Sequence, residues 1–317
     1  MKKVNIRKLL LNHSNIIVLV LALAVLTVVM SQLSPYFLNA GYLWAQSGFV
    51  AETSLIGLGM TLVILSGGID LSVGSMMALS AVVMGMAVNA GMNPVTAIIL
   101  ALLTGAVGGF LNGIIVCKMN VVPLIVTLGT MGMFRGIAMG VTGGNAQQLP
   151  QSLYFIGQGK IGPVPLQLIV AIVIYLAALF ALRYTKMGVN LKAIGFNEEG
   201  ARFAGVQVNK EKIRAYMISG LLAALMGVIY ACRVSSAKAD YGSGYEMNAI
   251  TIAVFGGASL SGGRASLVGA FLATVIIVYL KQGLTLIGIQ SDIQSILVGL
   301  ILIFAVAFNR FVEKLNK

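Results

Sequence analysis

The chain reads LKAIGFNEEGARFAGVQV from Leu191 to Val208, and the rest of the sequence is organised around this stretch. Asn197 is a good N-cap, and two glutamates follow it in the first turn, where the positive end of a helix favours acidic residues. Glu198 and Arg202 stand four residues apart on one face, and Gly205 suits a left-handed helix end. The pattern predicts a helix of about two turns, which is too short to be stable without a supporting surface.

This stretch lies in a polar interruption, about residues 184–212, of a chain that is otherwise almost continuously apolar. Of its 317 residues, 58% are hydrophobic and 9% are charged, whereas a soluble domain carries about 25% charged residues. The mean hydropathy is +0.96. The composition predicts an all-α polytopic membrane bundle in which residues 1–317 form a single transmembrane domain.

Apolar runs predict ten membrane spans, most of which hold the roughly 20 residues that a bilayer core requires. The second and eighth spans end in glycine pairs, and the eighth is short, so either span could be continuous or re-entrant. The ten runs cover about residues 16–33, 45–66, 71–91, 94–117, 122–142, 165–183, 213–233, 246–261, 265–284 and 292–309.

Basic residues are distributed unequally between the two ends of these spans. With the N-terminus in the cytoplasm, sixteen of the 21 Lys and Arg residues fall inside, and only Lys160, Arg233 and Lys238 fall outside. This asymmetry predicts that both termini and the 184–212 loop are cytoplasmic. The same asymmetry explains the net charge of +12, because the basic residues lie at helix ends, where they face membrane lipids. No nucleic-acid partner is therefore expected.

Glycine residues spaced four apart predict faces where a neighbouring helix approaches closely. The two sets are Gly105, Gly109 and Gly113 in the fourth span and Gly132, Gly136 and Gly140 in the fifth. Two glycine-rich turns, GGIDLSVG at 67–74 and GGASLSGG at 256–263, share five of eight positions. The similarity of these turns indicates either an internal duplication or two turns under the same steric demand.

Motifs for catalysis or nucleotide binding are missing from the sequence. It has no GxxxxGK[ST], HExxH or GxSxG pattern and no Cys/His cluster, so we predict no catalytic residue, no metal site and no ATP site. Glu52 and Arg135 are expected inside the membrane, each about seven residues, or roughly 10 Å, from the outer end of its span. Buried charges are costly, so we expect these two to lie close together, either as a functional site or as a structural ion pair.

Four stretches together resemble one known family. They are GFNEEGARFAGV at 195–206, GGIDLSVGS at 67–75, TLGTMGMFRGIA at 127–138 and VFGGASLSGGRASLVGAFL at 254–272. The chain resembles, from its first span to its last, the membrane permease subunit of bacterial ABC importers for monosaccharides of the ribose, xylose and galactose type. Branched-chain amino-acid permeases carry a related loop, so the loop alone is the weaker part of the resemblance.

The resemblance implies an all-helical fold of about ten helices, shared with the cobalamin-importer type, in the bacterial inner membrane. It also implies a second permease subunit, a periplasmic sugar-binding protein and a cytoplasmic ABC ATPase that binds the ATP, so the chain itself would need no cofactor. Residue by residue, the contact with the ATPase falls on Gly195, Asn197, Glu198, Ala201, Arg202 and Gly205. We expect residues 198–204 to dock in a groove of the ATPase, with Ala201 and Ala204 buried at the contact.

A neutral sugar needs polar lining along its path. The pathway candidates are Glu52, Asp70, Asn112, Thr127, Thr130, Arg135, Asn248 and Thr251. Among these, Asp70 at the inner mouth is more typical of a helix cap than of a substrate ligand. The alternatives are another solute, namely a branched-chain amino acid, a nucleoside or a sugar-like signal molecule, or an ion-coupled secondary transporter. A secondary transporter usually carries acidic residues at mid-membrane, where this chain has almost none.

Overall fold

In the computed structural model, the backbone is described for residues 6–315 and the side chains for residues 15–307. His13 and the terminal lysines Lys2 and Lys317 lie outside the described side chains. The described backbone forms α1 (Ile6–Leu33), α2 (Ala40–Leu65), α3 (Val73–Asn89), α4 (Pro94–Lys118), α5 (Pro123–Thr142), α6 (Tyr154–Gln158), α7 (Leu166–Tyr184), α8 (Lys186–Phe196), α9 (Glu198–Phe203), α10 (Val208–Val234), α11 (Tyr245–Phe255), α12 (Leu267–Leu286) and α13 (Ser291–Leu315).

Four strands of two residues each and a short 3₁₀ helix, Gln151–Leu153, complete the described elements. The strands are β1 (Gln147–Gln148), β2 (Lys160–Ile161), β3 (Val164–Pro165) and β4 (Ser236–Ala237), and β1 pairs with β4 while β2 pairs with β3, both antiparallel. These strands lie at one end of the bundle, called here the hairpin end. The opposite end, which carries α8 and α9, is called the loop end.

The ten predicted apolar runs each correspond to one helix. Seven of the described helices are long and apolar enough to cross a membrane, namely α1, α2, α4, α5, α7, α10 and α12. Helices α3 and α11 have 17 and 11 residues, and α13 is apolar over Ser291–Ala307. The second run is continuous in α2, whereas the eighth ends early because α11 stops before Gly256. An all-helical multi-pass membrane protein is therefore confirmed, and ten full crossings stay a prediction.

Helix α2 is the centre of the bundle. Almost every residue from Ser47 to Leu65 is buried, and the helix packs against α7, α10, α11 and α12. Its side chains, among them Leu55 and Met60, join Met77 of α3 in the largest apolar cluster. Apolarity alone does not place a membrane helix inside, because α1 is more apolar than α2 and is mostly exposed. The small and polar residues of α2, which pack better against helices than against lipid, favour its central position.

The glycines of α4 allow its closest packing contact, which is with α10. Gly105 lies against the backbone of Gly220, and Gly109 lies against the backbone of Tyr216. Gly113 continues the same face against Ile213. A side chain at any of these positions would collide with backbone atoms of α10, so the packing face predicted on α4 is confirmed.

The glycines of α5 behave differently from those of α4. A Cβ atom added at Gly132, Gly136 or Gly140 would meet no described atom within 4 Å. All three residues are exposed on the outside of the chain. The expectation that this stripe packs against a neighbouring helix is therefore wrong for contacts between the described residues of one chain.

Helices α3 and α11 both begin inside the bundle rather than at its surface. Gly74, in the first turn of α3, lies against Gly242 and the carboxylate of Glu246 in the first turn of α11. From this meeting point α3 runs to the hairpin end, where Asn89 donates a hydrogen bond to Gln147. Helix α11 runs the other way, so the two half-length helices meet at their N-terminal ends.

The two similar glycine-rich turns lie side by side at the loop end. The Gly263 N–H donates to the Leu65 carbonyl at 3.0 Å, and Gly262 lies against Gly67. The second turn also lies against α8, with Gly262 at Gly195 and Gly263 at Phe196. The two turns therefore form one support beneath the polar stretch at residues 191–208.

Candidate functional site

The polar stretch forms a small helical platform at the loop end. The Asn197 side chain accepts a hydrogen bond from the Gly200 N–H at 2.9 Å and so caps α9 as predicted. Gly205 has a φ of 83° and follows the last turn of α9, which is the left-handed helix end that the sequence indicated. Helix α9 has six residues, so its shape depends on the surface beneath it.

The inner face of the platform is packed onto the rest of the chain. Ala201 is buried against Ile194 of α8 and Val208 of α10. Gly195 lies against Leu65 and Gly263, where no side chain has room. The expectation that a partner buries Ala201 needs correction, because the chain itself already covers it. Ala201 and Gly195 hold the platform in place, and their part in coupling stays a prediction.

The outer face of the platform presents one aromatic ring. Phe203 is 92% exposed, and its neighbours Arg202 and Ala204 are exposed as well. Phe203 was not among the predicted contact residues, although a usable signal was present in the sequence. Residues two apart on a helix point in different directions, so a buried Ala201 places Phe203 on the open side.

Glu198 ties α9 to the start of α10. Its carboxylate accepts hydrogen bonds from Lys212 Nζ at 2.8 Å and from Arg202 Nη2 at 3.3 Å, the latter being the pair predicted from the spacing. Partial burial raises the pKa of Glu198, but the hydrogen bond and charge of Lys212, with Arg202, outweigh burial and hold the pKa below its usual value. Glu198 is therefore ionised at neutral pH, and its two contacts orient the platform.

The predicted pairing of Glu52 with Arg135 is wrong. Glu52 is 1% exposed and instead pairs with Arg233, with Nε to Oε1 at 2.6 Å and Nη2 to Oε2 at 3.1 Å. The reason lies in the helix neighbours: α10, which carries Arg233, packs directly on α2, whereas α5, which carries Arg135, packs on α3. Equal depth in the membrane was not enough to bring Glu52 and Arg135 together.

Arg135 binds backbone instead of a carboxylate. Its Nη1 donates to the carbonyl of Ala239 and, at 2.5 Å, to the carbonyl of Tyr241. These carbonyls belong to the segment that descends from the end of α10 into the bundle and leads to α11. Arg135 thus fixes the position at which α11 begins.

Asp70 is the centre of a buried polar cluster. It accepts hydrogen bonds from the Ser72 backbone N–H at 3.1 Å, from Ser72 Oγ at 2.6 Å and from Ser219 Oγ at 3.0 Å. Asn112 Nδ2 donates to Ser72 Oγ at 2.8 Å. The N-cap residue of α3 is Ser72, and no side chain caps the first-turn amides, so the interpretation of Asp70 as the helix cap is not confirmed. Asp70 instead holds the N-cap residue in place, and all four residues are buried.

The remaining pathway candidates are spread over the bundle. Thr127 Oγ1 donates to the carbonyl of Ile69 at 3.2 Å and so joins the Asp70 cluster. Thr130 and Thr251 donate to carbonyls of their own helices, at 3.3 Å and 2.7 Å. Asn248 accepts from Lys281 Nζ at 3.0 Å and lines a cavity of about 90 Å³. Of the eight candidates, only Asp70, Asn112 and Thr127 come together.

Among residues 15–307, no group of three or more His, Cys, Asp or Glu side chains is placed to hold a metal ion. The site geometry therefore consists of a platform at the loop end with one exposed ring, a buried Asp70 cluster and a Glu52–Arg233 pair towards the hairpin end.

Comparison with known proteins gives these features a family. The chain is 38% identical over 291 residues to the ribose import permease protein RbsC of Escherichia coli strain K12, covering 90% of this chain and 91% of that protein. It is 38% identical over 294 residues to RbsC of Bacillus subtilis strain 168, covering 92% and 91%. It is 36% identical over 259 residues to the autoinducer 2 import system permease protein LsrC of Photorhabdus luminescens, covering 80% and 77%.

No solved structure matched the chain. The family model described as branched-chain amino acid transport system / permease component matches residues 47–306. That range includes the platform, the Asp70 cluster and the Glu52–Arg233 pair. The family resemblance predicted from the sequence is thereby confirmed, and the chain belongs to this family of transport-system permease components.

Proposed function

We propose that this chain is the membrane permease subunit of an ATP-driven ABC importer that passes a monosaccharide from a periplasmic binding protein to the cytoplasm. The observation that carries the proposal is the platform at the loop end, which presents Phe203 on a rigid base. The ribose import permeases named above support a monosaccharide as the solute. The chain itself acts as a transporter without catalysis of its own, and the partner ATPase binds the ATP.

Coupling to the ATPase works through the exposed side of α9. The cap at Asn197, the ion pairs of Glu198 and the buried Ala201 fix the orientation of this short helix. Phe203 then projects as an anchor, and beside it lies a depression of about 320 Å³ that includes Arg202, Val206 and Lys210. Aromatic and arginine side chains at the centre of a contact contribute most of the binding energy in many interfaces. Movement of the ATPase is thereby transmitted to α8, α10 and the two glycine turns.

The test is to replace Phe203 and measure ATPase binding and sugar uptake in the complete importer. Phe203→Ala should leave the permease folded, because the ring contacts solvent, and should lower ATPase affinity by about 30-fold or more, as expected for a hot-spot residue. Phe155→Ala is the matched control, since Phe155 is 61% exposed but lies at the hairpin end. Normal uptake and ATPase binding in the Phe203 variant, or sugar uptake without any ATPase, would overturn the proposal.

The orientation in the bacterial inner membrane follows from the distribution of basic residues. Both termini and the loop end are cytoplasmic, and the hairpin end faces the periplasm, with about ten helices arranged as in the cobalamin-importer type over a single permease domain, residues 1–317. Single cysteines at Asn209 and Gln158 should be labelled from opposite sides of the membrane. Labelling of both from the same side would contradict this orientation.

A second permease subunit, most simply an identical copy, completes the transporter. The open glycine face of α5 supports this arrangement, because glycines allow close approach of another membrane helix and no described residue of the same chain fills that face. The exposed position of the stripe along most of α5 gives room for a contact of several turns.

A second solute class is favoured by one observation. The 36% sequence identity with an autoinducer 2 import permease supports a sugar-like signal molecule as the alternative solute. The two candidates are separated by uptake assays with each solute and the cognate binding protein. An ion-coupled mechanism is less well supported, because Glu52 and Asp70, two acidic residues inside the described bundle, are already held by protein donors. Branched-chain amino acids and nucleosides are further alternatives, and the same uptake assay tests them.

A further inference from the structure

The connection between α10 and α11 carries acidic residues that belong neither to the platform nor to the Asp70 cluster. The sequence places residues 234–245 between two predicted spans, whereas the structure turns residues 235–246, called here the descending segment, back into the bundle. Its Gly242 lies against Gly74 in the first turn of α3. Helix α3 extends from there to Asn89 at the hairpin end, a distance of about 22 Å at about 1.5 Å per residue. The tip of the descending segment therefore lies deep within the roughly 30 Å core of a bilayer.

Polar side chains of the descending segment open to the outside of the chain. Asp240 and Ser243 are exposed, and Glu246 is partly exposed. Ser243 Oγ donates to the backbone carbonyl of Asp240 at 2.9 Å, and Glu246 Oε1 accepts from the Gly244 N–H at 3.1 Å. Neither carboxylate joins an ion pair among the described residues. The Asp240 carboxylate is therefore both accessible and unpaired.

Lipid is an unsuitable cover for this segment. An unpaired carboxylate in the hydrocarbon core is costly, so acidic side chains at this depth face a protein interior or a water-filled cavity. Arg135, whose Nη1 binds the carbonyls of Ala239 and Tyr241, stands one residue before Gly136 of the open α5 stripe. The descending segment therefore adjoins the face of α5 that a second permease copy is proposed to cover. Water between the two copies meets the needs of both.

The charges of the segment restrict the kind of solute. Asp240 and Glu246 supply two carboxylates, and the guanidinium of Arg135 is already engaged by backbone carbonyls. Unpaired carboxylates repel anions and accept hydrogen bonds from hydroxyl groups, and such charge-assisted bonds are stronger than neutral ones. An anionic solute is therefore disfavoured, whereas a neutral polyhydroxylated solute can donate to either carboxylate.

We propose that the descending segment lines a water-filled passage between two permease copies, where Asp240 and Glu246 accept hydrogen bonds from the hydroxyl groups of a monosaccharide in transit. The proposal rests on the proposed function, which supplies the monosaccharide and the second copy. The carboxylates exchange water for hydroxyl groups with only a modest net gain in free energy. The sugar is therefore held weakly and can leave.

The first experiment tests whether water reaches the segment. The full-length permease is placed in lipid nanodiscs with both native cysteines replaced by alanine, and Ser243→Cys adds one thiol near the tip of the segment. A membrane-impermeant cationic thiol reagent should modify this thiol. Leu176→Cys is the matched control, because Leu176 is 60% exposed on the apolar outer face of α7, about 15 Å from the start of that helix at the hairpin end. Its thiol should react at least about tenfold more slowly, since apolar surroundings suppress ionisation of a thiol.

The second experiment tests what the passage accepts. Asp240→Asn removes one charge beside the Ser243→Cys thiol and should lower the preference for a cationic over an anionic reagent about fivefold. D-ribose should slow the modification, and Asp240→Ala should raise the half-protecting ribose concentration about fivefold, the effect of losing one hydrogen bond. Asp292→Ala is the matched control, because Asp292 is also an exposed acidic residue at the hairpin end but belongs to α13, and it should change neither quantity.

The outcomes separate the passage from the function. The Asp240 side chain makes no hydrogen bond or ion pair that the fold requires, so its variants should fold. Equal reactivity of Ser243→Cys and Leu176→Cys, no protection by D-ribose, or protection by L-leucine or ribose 5-phosphate instead would overturn the passage even if the complete importer transports a sugar. A reactive thiol that D-ribose protects, in a protein whose complete importer moves no monosaccharide, would support the passage and contradict the proposed function.

Discussion

Helices α4 and α5 carry the same glycine spacing and use it in opposite ways. Gly105, Gly109 and Gly113 of α4 are covered by the backbone of α10, and this is the most extensive helix contact in the described bundle. On α5, the stripe of Gly132, Gly136 and Gly140 meets no described atom within 4 Å. The spacing therefore indicates a capacity for close approach, and the arrangement of the other helices determines whether that capacity is used within the chain.

The difference arises from what each helix has beside it. Small residues on both partners let α4 and α10 come together, because Gly220 of α10 faces Gly105 of α4. Helix α5 packs on α3 through its opposite face, where Phe134 and Ala138 are buried. Its glycine face is then left on the outside, where only lipid or another subunit can cover it.

The largest expected effect comes from filling the covered stripe. Gly109→Leu would drive a side chain into the backbone of Tyr216, which cannot yield as a flexible side chain does. Overpacking costs about 1–3 kcal/mol where side chains can adjust, so a clash with backbone should reach or exceed the upper value. We expect little monodisperse protein in detergent. Gly136→Leu makes the same change on the open stripe, and an equal loss in both variants would contradict the comparison.

The next effect tests whether α10 is also held by charge. Glu52→Gln leaves Arg233 without its carboxylate. Breaking a fully buried ion pair costs about 3–5 kcal/mol, and the cost here should lie below that range because the Arg233 side chain is 23% exposed. The double variant with Arg233→Met should recover part of that loss in thermal unfolding. A cycle with Arg135→Met should instead be additive, because Arg135 binds the carbonyls of Ala239 and Tyr241. Coupling to Arg135 and not to Arg233 would refute the observed pairing.

A smaller effect on stability is expected from the open stripe itself. Gly136→Leu should change the free energy of unfolding by less than about 0.5 kcal/mol, because the new side chain enters open space. It should nevertheless weaken association between two permease copies, measured as the molar mass of the detergent-solubilised complex. Val141→Ala provides a control on the same helix, since Val141 is also exposed. Unchanged association would exclude this face of α5 from the subunit contact.

The smallest effect concerns the ion pairs of Glu198, which hold the short helix α9 against α10. The pKa of Glu198 is below its usual value, so the contacts with Lys212 and Arg202 stabilise the platform fully above the ordinary Glu pKa of about 4.3. This contribution is lost as the pH falls through the lower pKa of the folded state. The titration of Glu198 should therefore add no pH dependence to ATPase binding between pH 5 and 8, roughly the range in which folded proteins are most stable.

Once the pH is below the pKa of folded Glu198, which itself lies under the ordinary value of about 4.3, the platform of the unmodified chain should resemble that of Glu198→Gln. Hydrogen exchange of the α9 amides, read against pH, measures this difference. Because Glu198 is partly exposed, solvent screens the pair and the effect on overall stability should be small. Equal exchange rates in the two proteins at every pH would show that the ion pairs do not orient α9.

Local patterns in the sequence were sufficient for the features that depend on neighbouring residues. The membrane class followed from apolar runs, and the ends of α9 followed from Asn197 and Gly205, because helix caps and left-handed glycines act within one turn. The Glu198–Arg202 pair followed from a spacing of four residues. The family followed from stretches distributed along the whole chain, later confirmed by the match over residues 47–306.

Contacts between distant segments were decided only by the tertiary structure. The partner of Glu52 depended on which helix lies beside α2, and two charges at the same depth could not reveal this. The exposure of Phe203 depended on α8 and α10 covering Ala201 from the other side. Glycine spacing was identical in α4 and α5, and only the position of α10 distinguished a packed face from an open one, because burial belongs to pairs of helices and not to a single helix.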